Sequence, residues 1–230
     1  MVWSVVEAQE LGSIFQSIQD YESQVIKRLM LKALTGPLHP IQETLTSNIA
    51  RNTVFELTLA ARFRRAGANV TIGRQADLVV DHAGARLYIE CKRPLYERNI
   101  GRNIEKARAQ LRRHLDTESL RNLAGGLIAI FVSKALNSGS NIYVVDKADD
   151  LNSLANDLDR LHQQYGQDYN SQVDLRLIGI LYQIYTPALI RGAEHPLIAA
   201  TQGKVFLADG SLQVVFPIIG DQLRHLLSSL

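Results

Sequence analysis

The sequence predicts an α/β protein in which a mixed sheet is covered by helices on both faces. Three observations lead to this class. Residues 11–33 and 47–66 carry their apolar side chains at helical spacing. Short apolar runs separated by turn-forming residues follow between residues 70 and 91, as expected for a meander of strands. Beyond residue 100 a helical pattern again precedes an apolar run, so helices and strands alternate along the chain.

The first two helical segments are bounded by glycines. Apolar residues keep helical spacing over residues 11–33, and Gly36 followed by Pro37 ends that pattern. A second helix is expected over residues 47–66, because Gly67 then stands at the left-handed position that commonly follows a helix. Two further helices are expected, a basic amphipathic one over residues 102–115 and a polar one over residues 149–165.

The predicted strands are short apolar runs bounded by turn-forming residues. They cover residues 70–72, 78–80, 87–91, 127–132, 142–145 and 175–185. Near the end of the chain, Asp209 and Gly210 form a typical two-residue hairpin turn, which predicts that residues 204–207 pair with residues 212–215. A short helix beginning at Asp221 is expected to close the chain.

Length and composition indicate one domain. The chain has 230 residues, of which 46% are apolar, enough for one core and too few for two large independent domains. We expect a helical extension over residues 1–46, a core over 47–133, and a continuation of sheet and helices over 134–230. No secretory signal and no apolar stretch of membrane-spanning length is evident. The single cysteine excludes an intramolecular disulfide, so we expect a cytoplasmic protein without a membrane partner.

Positive charge is concentrated in one part of the chain. The formal net charge is only +2, but residues 86–113 contain nine Lys or Arg residues and three acids. A solvated helix face is the common explanation for such a run. Here the run adjoins residues whose pattern indicates chemistry.

Alternation along the third predicted strand separates two kinds of side chain. Tyr88, Glu90 and Lys92 project to one face, whereas the intervening apolar residues project to the other. A turn centred on Ala83 and Gly84 would place Asp77 directly opposite Glu90. Two facing carboxylates destabilise a sheet unless a positive charge lies between them. Hard oxygen ligands suit Mg²⁺, with Mn²⁺ as an alternative.

Lys92 lies two residues beyond Glu90 and on the same face. Its ammonium could orient an attacking water and offset negative charge that develops on a phosphate. The alternative is that Glu90 and Lys92 form a simple surface ion pair on an exposed sheet face. Glu56 is a further candidate, since it is the only acid in the second predicted helix and falls among apolar positions. It could reach the metal site, or it could pair structurally with a neighbouring arginine, Arg51 or Arg62.

The set of Glu56, Asp77 and the triplet Glu90-Cys91-Lys92 resembles the PD-(D/E)xK, or restriction-endonuclease-like, superfamily over residues 47–133. The resemblance implies an αβββαβ core. It implies that Asp77 and Glu90 bind catalytic metal ions and that Lys92 assists the attacking water. It also implies that Glu56 and the carbonyl oxygen of Cys91 contribute to the metal site.

One further catalytic position follows from the same resemblance. Some members of the superfamily carry an auxiliary polar residue on the helix after the third strand, where this chain has Gln110, with Lys106 or Arg108 as alternatives. Ala76 stands where the superfamily's name places a proline.

The predicted basic helix supplies a surface for nucleic acid. Arg102, Lys106, Gln110 and Arg113 share one helical face and, with Arg93, are expected to contact backbone phosphates without reading sequence. The sequence therefore predicts a metal-dependent nuclease, with DNA favoured over RNA as substrate. The alternative is a catalytically silent nucleic-acid-binding or assembly subunit of a defence or repair complex. The helical stripe over residues 11–33 could also serve a homodimer or a partner subunit.

Overall fold

The structure is a computed structural model, and it describes residues 2–18, 24–36, 42–44, 48–73, 75–118, 123–166, 176–208, 211, 215–216 and 220–228. The helices are α1 (Val2–Ile18), α2 (Gln24–Leu34), α3 (Ile49–Arg65), α4 (Ile100–Asp116), α5 (Ser133–Leu136), α6 (Ser153–Tyr165) and α7 (Gly220–Ser228). The strands are β1 (Asn69–Ile72), β2 (Leu78–His82), β3 (Ala85–Lys92), β4 (Ala124–Phe131), β5 (Tyr143–Val145), β6 (Leu177–Ile190) and β7 (Leu197–Leu207).

The seven strands form one mixed sheet. The first three strands are an antiparallel meander, and β3 then pairs in parallel with β4. Strand β6 is parallel to β4 along its first half and to β5 at its end, and it is antiparallel to β7. Helix α4 lies between the parallel strands β3 and β4 in the chain and packs on both. Such a crossover is the usual way to join parallel neighbours.

Helices cover the sheet on both faces, as the sequence predicts. One apolar core joins α1, α2, α3 and α7 to the face of the sheet that carries Leu87 and Ile89. A second core joins α4 and α6 to the face that carries Tyr88 and Ile128. Both faces are therefore buried, which accounts for the near-continuous apolar sequence of β4.

The predicted elements of the core are confirmed within one to three residues at most ends. Helix α3 occupies the segment predicted to be helical over residues 47–66, and Gly67 follows it with a φ angle of +87°. Instead of one continuous helix over residues 11–33, the structure has α1 and α2, separated by residues 19–23, which lie outside the described residues.

The hairpin predicted around Asp209 and Gly210 is wrong. Strand β7 pairs with β6, and the turn between them contains Gly192, which has a φ angle of +72°. Val215 is helical, whereas residues 209–210 and 212–214 lie outside the described residues. The Asp-Gly pair is a turn signal that depends only on neighbouring residues. The pairing of β7 with the long strand β6 is a long-range contact, and no short sequence pattern near residue 209 indicates it. Of the helices in the described part of the chain, none is long and apolar enough to cross a membrane.

Candidate active site

The strand register brings Asp77 to Glu90. Pairing of Leu78 with Ile89 and of His82 with Ala85 is the register predicted from the sequence. Asp77 directly precedes β2, so continuation of this register places it across from Glu90. The Asp77 side chain is held there, because the backbone N–H of Cys91 donates to its Oδ2 at 2.8 Å.

Lys92 forms the centre of this cluster. Its Nζ lies 2.8 Å from Glu90 Oε2 and 3.5 Å from Asp77 Oδ2. The same ammonium donates to the carbonyl oxygen of Cys91 at 3.2 Å. The positive charge that the two carboxylates require is supplied in this structure by Lys92 itself.

The cluster is not a surface ion pair. The Glu90 side chain is only 2% exposed and the Lys92 side chain 12%, whereas Asp77 is 31% exposed and provides the side of the cluster open to solvent. Burial, followed by the nearby charge of Asp77, raises the pKa of Glu90, and Lys92 and His114 oppose that rise. Buried like charges of this kind are costly unless a cation compensates them.

Glu56 lies in the same electrostatic neighbourhood. Burial raises its pKa to about 7, with a further contribution from Asp77, and Lys32 and Lys92 act in the opposite direction. In the described part of the chain Glu56 forms no ion pair with either of the arginines considered above. Among the described residues, the Lys92 ammonium contacts both Asp77 and Glu90, and the charges of all three residues act on the pKa of Glu56.

Cys91 contributes backbone groups to this cluster. Its N–H binds Asp77 and its carbonyl oxygen accepts from Lys92. Burial raises the pKa of the Cys91 thiol well above its usual value, and the side chain packs against the apolar core on the face of the sheet that carries Leu87 and Ile89. The carbonyl oxygen is thus the group of Cys91 that could bind a metal ion.

His114 is a site residue that the sequence did not single out. Its Nε2 lies 3.4 Å from Glu90 Oε1, the carboxylate oxygen that Lys92 does not occupy. Its ring stacks on Tyr88 with centroids 5.9 Å apart and an interplanar angle of 19°. The predicted auxiliary residue Gln110 lies one helical turn earlier, and its Oε1 is buried without a hydrogen-bond partner in the described structure. The catalytic role of Gln110 stays a prediction.

The predicted nucleic-acid contacts separate into two groups. Arg102, Lys106 and Arg113 are exposed on the outer side of α4. Arg93 is not part of that surface. Its side chain is 5% exposed, and its guanidinium forms a two-pronged ion pair with Glu43, with 2.9 Å between Nη2 and Oε2.

The donor set of the cluster suits a hard divalent cation. Asp77, Glu90 and the Cys91 carbonyl offer oxygen atoms, and Mg²⁺ commonly binds one or two carboxylates while keeping several waters. Such a cation would also relieve the repulsion that raises the pKa of Glu90. In the described part of the chain no three His, Cys, Asp or Glu side chains are close enough together to hold a metal ion by themselves.

We compared the chain with protein-family models, with characterised proteins and with solved structures, and none of the three comparisons gave a match. The assignment of a function therefore depends on the cluster and its surroundings.

Proposed function

We propose that the protein is a metal-dependent nuclease of the PD-(D/E)xK kind. The observation that carries this proposal is the convergence of Asp77, Glu90 and Lys92 on one partly exposed point, with 2.8 and 3.5 Å between the ammonium and the two carboxylates. The order of α3, three antiparallel strands, α4 and the parallel strand β4 supports the same class. It is the order that the superfamily core would have.

Each group has a defined part in the proposed reaction. Asp77, Glu90 and the carbonyl oxygen of Cys91 would hold a Mg²⁺ or Mn²⁺ ion, with Glu56 as an outer carboxylate. The ion, when bound, polarises the scissile phosphate and lowers the pKa of a bound water. Lys92 donates hydrogen bonds to the attacking water or to a phosphoryl oxygen, and its charge offsets the negative charge that develops there.

The outer side of α4 would position the substrate. Three exposed cations follow one another along this helix, whose last turn carries His114 next to Glu90. Phosphate contacts from such a face give affinity that depends on salt and not on base sequence. These contacts do not distinguish DNA from RNA, and we propose DNA, bound along its backbone, as the preferred substrate by analogy with the PD-(D/E)xK superfamily.

Cleavage of a substrate panel tests the proposal. Supercoiled plasmid, linear duplex, single-stranded DNA and RNA are incubated with Mg²⁺, Mn²⁺ or a chelator. Wild type is compared with Asp77→Asn and Lys92→Met, and with the exposed-site control Lys27→Met. The proposal is supported if wild type and the control cut only when metal is present and both site variants do not cut. Equal cutting by wild type and Asp77→Asn contradicts it.

One observation favours the second candidate function, a nucleic-acid-binding or assembly module without turnover. The Lys92 ammonium already contacts both carboxylates, so part of their negative charge is compensated without an added ion. Under this candidate, wild type binds nucleic acid with unchanged affinity in chelator and cuts none of the four substrates.

A further inference from the structure

A cavity with polar and apolar lining residues lies at the end of β3, on the face of the sheet opposite to Glu90 and Lys92. Arg93 follows Lys92 in the chain, and its guanidinium lies over the ring of Phe131, 5.5 Å from the centroid. The cavity opens to solvent, and the space inside it together with the open space at its mouth is about 490 Å³. We name it the Arg93 cavity. Its polar lining residues include Arg51, Arg93, Ser133, Lys134, Asn137 and Tyr185.

Cations outnumber carboxylates among the described residues at the Arg93 cavity. Arg93 and Arg51 both approach the buried carboxylate of Glu43, which lies 3.6 Å from Arg51 Nε. Glu10 also lines the cavity, where it accepts a hydrogen bond from Thr58 at 2.9 Å, and burial raises its pKa. Among the described residues, Arg51, Arg93 and Lys134 stand against the two carboxylates of Glu10 and Glu43, so one positive charge remains in excess.

Lys134 is the cation with the least compensation. The residue is 9% exposed, and its Nζ donates to the carbonyl oxygen of Ser138 at 2.8 Å. Within the described structure no carboxylate lies within 4.0 Å of it. Burial without a counter-charge is unfavourable for an ammonium, because its hydration is lost, and burial accordingly lowers the pKa of Lys134. Two of its three N–H donors remain for a ligand.

Ser133 supplies a neutral donor at the same place. Its Oγ accepts the backbone N–H of Tyr185 at 2.7 Å, which leaves the hydroxyl hydrogen to be donated elsewhere. The residue is 6% exposed and precedes Lys134 in the chain. An ammonium and a hydroxyl from two consecutive residues of the same cavity lining, where cations exceed carboxylates, match a tetrahedral oxyanion with several acceptor oxygens.

We propose that the Arg93 cavity binds a phosphate monoester group, either the terminal phosphate of a nucleic-acid strand or that of a free nucleotide. A monoester carries more negative charge than an internal phosphodiester and offers three terminal oxygens. The excess positive charge therefore selects a strand end or a mononucleotide over the interior of a strand. The site is separate from Asp77 and Glu90, so it binds whether or not those residues catalyse hydrolysis.

Binding is measured by calorimetry in the presence of a chelator, so that no metal-dependent cleavage takes place. The probes are inorganic phosphate, dAMP, and one short single-stranded DNA carrying either a 5′-phosphate or a 5′-hydroxyl. The proteins are wild type, Lys134→Met, Lys134→Arg and the exposed-site control Lys27→Met, each checked for cooperative unfolding. Lys134→Arg keeps the charge and shows whether the cation, and not the methylene stem, is required.

Wild type and Lys27→Met are expected to bind phosphate and dAMP. Lys134→Met should bind roughly tenfold more weakly, because one charge-assisted hydrogen bond is lost, and Lys134→Arg should retain most of the affinity. A preference for the 5′-phosphorylated strand over dAMP identifies a strand end as the source, and the reverse identifies a free nucleotide. Absence of phosphate binding by wild type, or equal affinity in Lys134→Met, overturns the proposal. Since no cleavage is measured, neither result depends on the proposed nuclease activity.

Discussion

Replacement of Glu56 by glutamine tests whether this carboxylate is buried against the Asp77 and Glu90 cluster. The folded protein holds its pKa near 7, whereas the ordinary value is 4.5. The folded state therefore keeps a proton on Glu56 over a pH range in which the unfolded chain has released it. Stability from this group is fully present below pH 4.5 and is lost as the pH rises through about 7. A neutral glutamine at this position does not titrate.

The size of the effect follows from the shift. A difference of about 2.5 pKa units corresponds to about 3.4 kcal/mol, of which about 2.5 kcal/mol falls between pH 5 and pH 8. We expect the free energy of unfolding of Glu56→Gln, relative to that of wild type, to rise by this amount across that range. Urea denaturation in chelator at several pH values measures it, since linear extrapolation gives the free energy at each pH.

The matched control is Glu105→Gln, because Glu105 is 65% exposed on α4. Its free energy of unfolding, relative to that of wild type, should change little between pH 5 and pH 8. Curves for Glu56→Gln and wild type that stay parallel over this range would refute the reasoning. Addition of Mg²⁺ is expected to reduce the difference at pH 8, because a nearby cation favours the charged carboxylate.

Three further changes have defined outcomes. Lys92→Met should destabilise the metal-free protein by about 3 kcal/mol in urea denaturation, because Glu90 loses its buried partner. A smaller loss in the double variant with Glu90→Gln would confirm that Lys92 and Glu90 are energetically coupled. Gly179→Ala should lower the free energy of unfolding by about 1–3 kcal/mol, since the added Cβ would lie 2.4 Å from a backbone oxygen of β7. The control Gly12→Ala has open space and should stabilise helix α1 by about 0.5–1 kcal/mol. For Arg102→Gln, the slope of log binding constant for DNA against log salt should shrink by about 1, and an unchanged slope would remove this residue from the interface.

Local sequence signals were sufficient for the central part of the fold. The apolar periodicity of residues 47–66 and Gly67 defined α3, and the turn at residues 83 and 84 fixed the register of β2 on β3. The signals failed near residue 209, where a strong turn pair predicted a hairpin. In the structure β7 pairs with β6. Which strand β7 pairs with depends on long-range contacts, and these are not visible in short sequence patterns.

The candidate site was predicted in part for the same reason. Alternation and register placed Asp77, Glu90 and Lys92 together, because both depend on backbone geometry alone. The burial of Glu90 did not follow from the sequence, since it depends on how α4 covers that face. His114 was missed because a lone histidine at the end of a basic helix carries no pattern. The ion pair that removes Arg93 from the surface joins residues 50 positions apart.

The most direct test of the central claim is to locate bound Mn²⁺ by anomalous scattering in crystals of the wild-type protein. The account predicts a peak about 2.0–2.4 Å from carboxylate oxygens of both Asp77 and Glu90. It also predicts that the Lys92 ammonium leaves its position between the two carboxylates. Crystals at saturating Mn²⁺ in which Lys92 still contacts both carboxylates, with no peak at the cluster, would contradict the account.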